Sequence, residues 1–122
     1  MKHLIWVYGT LKRGKGNHRF LSEGGATFLG NARTEPAFTM LHLGGFPGVV
    51  RAGKTVVHGE LYEVNDEILG RLDRLEGHPN FYQRQQLSVV LEDGSTKGTE
   101  GYFLPDSWLS RAKVIEGGVW AS

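Results

Sequence analysis

The 122-residue chain has no cysteine. Disulfides, a thiol nucleophile and a zinc–thiolate site are therefore excluded, and a reducing compartment is compatible with the composition. Charge of one sign is not in surplus either: 14 Lys+Arg stand against 13 Asp+Glu, a formal net charge of +1. A nucleic-acid-binding domain draws its phosphate contacts from a basic excess, so no nucleic-acid partner is expected. No apolar run approaches membrane-spanning length, and Met1-Lys2-His3-Leu4 lacks a signal-peptide layout. The expectation is a cytoplasmic protein with no membrane partner. The histidines (His3, His18, His42, His58, His78) show no ligand spacing such as H-x-x-x-H, so no metal is expected. No serine sits in a nucleophile-elbow context.

What the chain does have is glycine, 18 residues of it, scattered between short apolar runs. That pattern predicts many turns and a β-rich fold. The length fits one domain over residues 1–122. Lys2–Tyr8 reads as a strand covered on both faces, because its apolar residues do not alternate with polar ones. Asn17 is placed to cap a short helix over His18–Glu23. Ala26–Thr34 reads as a strand with Phe28, Gly30 and Ala32 on one face, followed by extended chain over Ala37–Leu43. Gly44–Gly48 is a loop, and Val49-Val50 and Val56–Val64 are strand-like. The second of these places His58, Glu60 and Tyr62 on a common face. Tyr82–Leu91 and Lys97–Leu104 form an antiparallel hairpin around Asp93-Gly94. Trp108–Val114 is assigned a helical turn, followed by a tail over Ile115–Trp120.

Two features carry chemistry. The first is the loop Gly9–Gly16, which follows the opening strand and holds three glycines and three cations. Free backbone N–H groups in such a loop favour an anion. It nearly spells a phosphate loop, but Gly16 stands where Ser or Thr must hold the metal. A plain tight turn is the other reading. The three cations, Lys12, Arg13 and Lys15, read as solvated, with at most a steering role.

The second is the helix Asp66–Glu76, capped by Asn65 and stopped by Gly77 and Pro79. At about 100° per residue, with Ile68 at zero, Leu75 falls near −20°, Leu72 near 40° and Leu69 near 100°. Glu76 falls at about 80° on the same wheel, within that apolar arc. Burial and the negative end of the helix dipole both raise the pKa of a carboxyl so placed. A carboxyl titrating nearer neutrality suits general acid–base work. A frayed helix end, or a structural pair with Arg84 or Arg74, is the alternative. The four tyrosines, Tyr8, Tyr62, Tyr82 and Tyr102, are core candidates first, with one or two left to line a site.

Taken together, these segments resemble the gamma-glutamylcyclotransferase-like superfamily. The likeness rests on Val7-Tyr8-Gly9-Thr10-Leu11-Lys12-Arg13-Gly14 with Asn17, Phe46-Pro47-Gly48-Val49 and Val57-His58-Gly59-Glu60-Leu61-Tyr62. It continues through Leu72-Asp73-Arg74-Leu75-Glu76-Gly77, Pro79, Tyr82, Arg84, Gly101-Tyr102-Phe103 and Ile115–Trp120. It spans nearly the whole chain, and its gamma-glutamylamine branch and small bacterial members are nearest in pattern. The resemblance implies an α+β fold: a small mixed β-barrel with one main helix and one or two short helices packed outside.

It further implies that Tyr8, Gly9, Thr10 and Leu11 hold a glutamyl group and that Glu76 is the catalytic acid/base, with Tyr82 and Tyr102 walling the pocket. The implied reaction splits a small-molecule gamma-glutamyl amide into 5-oxoproline and a free amine, with no cofactor and no metal, in a monomer or homodimer. A non-catalytic module sensing a small carboxylate through the same loop is the competing function. Selection of the leaving amine is expected from Gly44–Gly48 and from the tail after Pro105.

Overall fold

The computed structural model describes residues 1–121; Ser122, the last residue of the expected domain, lies outside them. The strands are β1 (Lys2–Val7), β2 (Thr27–Arg33), β3 (Phe38–His42), β4 (Pro47–Thr55), β5 (His58–Asn65), β6 (Gln83–Leu91), β7 (Thr96–Phe103) and β8 (Lys113–Ile115). The α-helices are α1 (Arg19–Ser22) and α2 (Asp66–Glu76), with 3₁₀ turns at Asp106–Ser110 and Glu116–Gly118. A closed barrel runs in the order β1-β5-β2-β6-β7, and a second sheet of three strands runs β4-β3-β8. The barrel is mixed because β1 and β7 meet in parallel, at Ile5 and Glu100, whereas its other pairings are antiparallel. The fold is the expected α+β barrel with the main helix outside.

The uninterrupted apolar run of β1 has a simple cause: its alternating side chains enter two different cores. Trp6 joins Leu61, Ala32, Leu87, Val89 and Phe103, so every barrel strand contributes to the filled interior. Ile5 and Val7 join Val64, Ile68, Leu69 and Leu72, which places α2 on the outer side of the same strand. Burying a Leu- or Ile-sized side chain is worth about 1.5–3 kcal/mol, and these two layers set the position of the helix.

Both ends of α2 are secured as its sequence predicts. The Asn65 side chain accepts from the Ile68 N–H at 2.8 Å, and Gly77 takes the left-handed conformation (φ 69°) that few residues other than glycine adopt. His78 N–H donates to the Asp73 carbonyl at 2.9 Å, and Tyr82 N–H donates to the Glu76 carbonyl at 3.2 Å. The helix therefore does not fray before Glu76.

Four local expectations need correction. Asn17 caps no helix: α1 begins after His18 without a side-chain cap, and the Asn17 amide donates instead to Thr10 Oγ1 at 2.9 Å. The register of β2 shifts between Phe28 and Gly30, which breaks the strict alternation and leaves Phe28 packing edge-on against Tyr62. Pro47 and Gly48, read as loop, begin β4, which continues to Thr55. The helical turn expected over Trp108–Val114 is a 3₁₀ turn over Asp106–Ser110 followed by strand β8, which pairs with β3.

Candidate active site

The chain leaves β1 at Val7, and the next four residues, Tyr8 to Leu11, form one wall of a cavity of about 380 Å³. Glu76, Tyr82 and Tyr102 also line it, so every residue expected in the site meets there. Asn17, Phe46, Pro47, Leu75 and Phe81 add to the lining.

The loop is tied down from several sides. Lys12 N–H donates to the Gly9 carbonyl at 3.1 Å and Asn17 N–H to the Thr10 carbonyl at 2.8 Å. Arg13 N–H donates to Glu60 Oε1 at 2.9 Å, and the same oxygen accepts the Tyr62 hydroxyl at 2.9 Å. The main-chain N–H groups of Gly9, Thr10 and Leu11 have no acceptor among the described residues. Such a run of free donors is a ready anion cradle. Gly9 is needed for its closeness to the opposite wall: a Cβ there would lie 2.7 Å from Pro47 Cγ.

Glu76 stands at the end of α2, partly buried, with no hydrogen-bond or ion-pair partner for its carboxyl among the described residues. Burial raises its pKa from 4.5 to about 7. The pairing with Arg84 or Arg74 considered from the sequence does not form. Arg84 instead pairs with Asp73, and its Nε lies 3.4 Å from Glu100.

The tyrosines are donors with their hydrogens already committed. Tyr8 OH donates to the Tyr102 carbonyl at 2.8 Å, Tyr82 OH to the Pro47 carbonyl, and Tyr102 OH to Asp73 Oδ1 at 2.7 Å. Burial raises all three phenol pKa values; the Glu76 charge adds to this for Tyr8 and Tyr82, and the bond to Asp73 for Tyr102. They remain neutral near pH 7 and act as rigid walls.

The residues alone left one or two tyrosines to line a site, whereas the three named through the family resemblance all line it; Asp73 was passed over. One signal was available: Asp73 and Glu76 are three apart on a helix and so share a side. The loop cations are less solvated than expected. Lys12 Nζ donates to the Trp120 carbonyl at 3.0 Å, and its pKa is lowered by burial and then by Lys15. The Arg13 guanidinium lies 3.9 Å from the Phe28 ring centroid, with its Nε 3.7 Å from Glu60. None of the three cations lines the cavity. Of the segments expected to select the leaving amine, Gly45 to Pro47 line the cavity, whereas no residue after Pro105 does.

The chain resembles known proteins in sequence and in fold. The family model described as "Gamma-glutamyl cyclotransferase, AIG2-like" matches residues 5–122. The gamma-glutamylaminecyclotransferase of Rattus norvegicus is 45% identical over 96 residues, covering 72% of this chain and 64% of that protein. The Homo sapiens gamma-glutamylaminecyclotransferase is 36% identical over 104 residues, covering 80% and 68%. The crystal structure of an AIG2-like protein from Mus musculus superposes with a TM-score of 0.81 at 30% identity, covering 99% of this chain and 95% of that one. No helix among the described residues is long and apolar enough to cross a membrane.

Proposed function

The chain belongs to the gamma-glutamyl cyclotransferase, AIG2-like family, and from that premise we propose that this cavity converts a gamma-glutamyl amide into 5-oxoproline and a free amine, with Glu76 as the acid/base. The observation that carries the reading is the pairing of two unsatisfied features in one cavity. One is the bare N–H run of Gly9, Thr10 and Leu11; the other is an unpartnered carboxyl titrating near 7.

The substrate brings both reacting groups in one molecule, so the enzyme's first task is to hold a folded conformer. The cradle takes the α-carboxylate. The α-ammonium then lies toward Glu76 and loses a proton to it. The freed amine attacks the γ-carbonyl carbon, a C–N bond forms, and negative charge develops on the carbonyl oxygen, where a remaining loop N–H stabilises it. Glu76 returns its proton to the amide nitrogen as that C–N bond breaks. The regenerated carboxylate takes the second proton that the attacking nitrogen sheds to become the lactam N–H and passes it to the departing amine, which leaves as its ammonium, so protons and charge balance. A pKa near 7 suits both directions, since an ordinary carboxylate would hold the proton too weakly to deliver it.

The test is release of 5-oxoproline from a panel of gamma-glutamyl compounds by the wild type and by Glu76→Gln. Wild-type turnover is expected, with a loss of at least about 100-fold in kcat for the variant, the lower range of a general acid–base contribution. Unimpaired turnover by the variant would remove Glu76 from the mechanism.

A further inference from the structure

Thr10 and Asn17 are the cavity's uncommitted polar side chains. Of the other side-chain donors that line it, the indole N–H of Trp6 and the hydroxyls of Tyr8, Tyr82 and Tyr102 all donate to protein oxygens. The lining includes no lysine, arginine or histidine. The rest of the wall is largely hydrocarbon, with Phe46 and Leu75, 39% and 37% exposed, at its mouth. Apart from the proton that Glu76 carries, a side-chain hydrogen for the substrate must come from Thr10 or Asn17.

Asn17 grips Thr10 at two points. Its main-chain N–H donates to the Thr10 carbonyl at 2.8 Å, and its side-chain amide donates to Thr10 Oγ1 at 2.9 Å. Its own carbonyl accepts from Phe20 N–H at 3.1 Å, which ties it to the first turn of α1. An amide nitrogen has hydrogens to give and no lone pair to accept with. Thr10 Oγ1 is therefore the acceptor in this contact, and its own hydrogen is turned elsewhere. That hydrogen has no acceptor among the described residues. Accepting from Asn17 also polarises the O–H bond and strengthens it as a donor, by roughly 10–30%.

The cyclisation has a use for such a donor. Three cradle N–H groups meet the two oxygens of the α-carboxylate and leave one for the γ-carbonyl oxygen. Charge develops on that oxygen only as the ring closes, and preorganised donors are most effective where charge develops. A cation would stabilise the same charge, but beside Glu76 it would also hold the carboxyl ionised and pull its pKa down from about 7. A neutral hydroxyl does the first without the second. Building on the cyclotransferase reading, we propose that the Thr10 hydroxyl is a second donor to the oxyanion and that Asn17 is the positioning residue that aims it.

Kinetics at about pH 8, above the Glu76 titration, test this on the gamma-glutamyl compound of the panel that the wild type turns over fastest. Thr10→Val keeps the shape of the side chain and removes the hydroxyl. It is expected to lower kcat about 100-fold, the lower range for loss of one oxyanion donor. KM should change by less than about threefold, because the main-chain cradle that binds the carboxylate stays. Thr10→Ser, which keeps the hydroxyl, is expected to retain kcat within about threefold. Asn17→Asp replaces the donor with an acceptor that takes the Thr10 hydrogen for itself. It is expected to lower kcat about 100-fold alone and at least about tenfold less in the Thr10→Val background, where no hydroxyl is left to misdirect. The cycle thereby subtracts the effect of the added charge. A Thr10→Val effect confined to KM makes the hydroxyl a ground-state contact and overturns the proposal. Equal costs of Asn17→Asp in the two backgrounds, or near wild-type kcat for Asn17→Asp alone, overturn the role given to Asn17. These outcomes leave the cyclotransferase reading intact, whereas absence of 5-oxoproline from the wild type across the whole panel removes that reading and the inference with it.

Discussion

A carboxyl that pays for its position is visible at Glu76. Its folded-state pKa of about 7 lies above the ordinary 4.5, so between those values the native protein binds more protons than the unfolded chain. Stability from this group is therefore full below about pH 4.5, falls as pH rises through 7, and is level above. The whole shift corresponds to up to about 3 kcal/mol. Glu76→Gln, which cannot ionise, is expected to match the wild type in urea denaturation near pH 4.5 and to exceed it by up to about 3 kcal/mol at pH 8. An equal gap at both values would show that the carboxyl is not strained by burial. The same titration governs activity: kcat/KM is expected to climb about tenfold per pH unit up to about 7, where the base is half ionised, and then level. A profile flat between pH 5.5 and 8 would exclude Glu76 as the base. The position of Glu76 was legible because one acid stood in an apolar helical arc. Its neighbour Leu75, in the same arc, was read as core, yet it stands at the cavity mouth. A wheel gives direction around the axis, not what lies beyond the helix end.

Among the elements, α2 matters through its last turn. Asp73 bridges it to the hairpin β6–β7: one oxygen accepts from Tyr102 OH, the other from Arg84. Asp73→Asn keeps an acceptor for Tyr102 and removes the charge that Arg84 meets. It is expected to cost about 1–2 kcal/mol for this partly exposed pair, and to lower kcat by loosening the turn that carries Glu76. Asp73→Ala should be worse on both counts; variants indistinguishable from wild type in denaturation and kcat would remove the bridge from the account. On the opposite wall, Gly9→Ala forces a methyl against Pro47. The expected outcome is a rise in KM of at least about tenfold, since overpacking of this kind costs about 1–3 kcal/mol, with the fold retained by circular dichroism. The ends of α2 were legible because capping is local chemistry between neighbours. The shift in β2, the pairing of β8 with β3 and the Asp73 bridge were not, because each depends on a partner far along the chain. Asn17 illustrates the limit: it is a proper cap by type, but the Thr10 hydroxyl claims its amide.

At the scale of the whole molecule, a β-rich fold and the glycine loop were legible in strand patterning and glycine spacing, and the barrel in a family pattern spread over the chain. The outer sheet was only half legible, since Arg51–Thr55 in β4 lack the apolar alternation that marks a strand. The barrel closes where β1 meets β7, between residues far apart in the chain, Ile5 and Glu100. The cavity lies across that seam, as the bond from Tyr8 beyond β1 to the carbonyl of Tyr102 in β7 shows. Closing so long a loop is entropically expensive and tends to come late in folding. A chain folded everywhere but at the seam therefore has no pocket, and a ligand of the pocket recognises only the finished ring. Such a ligand should act as a clasp. At 100 times its Kd, 5-oxoproline is expected to stabilise the protein by about 2.7 kcal/mol and to slow unfolding rather than hasten folding. Stopped-flow measurement of both rates, with and without the compound, would reveal the seam as the last part of the molecule to form and the first to open.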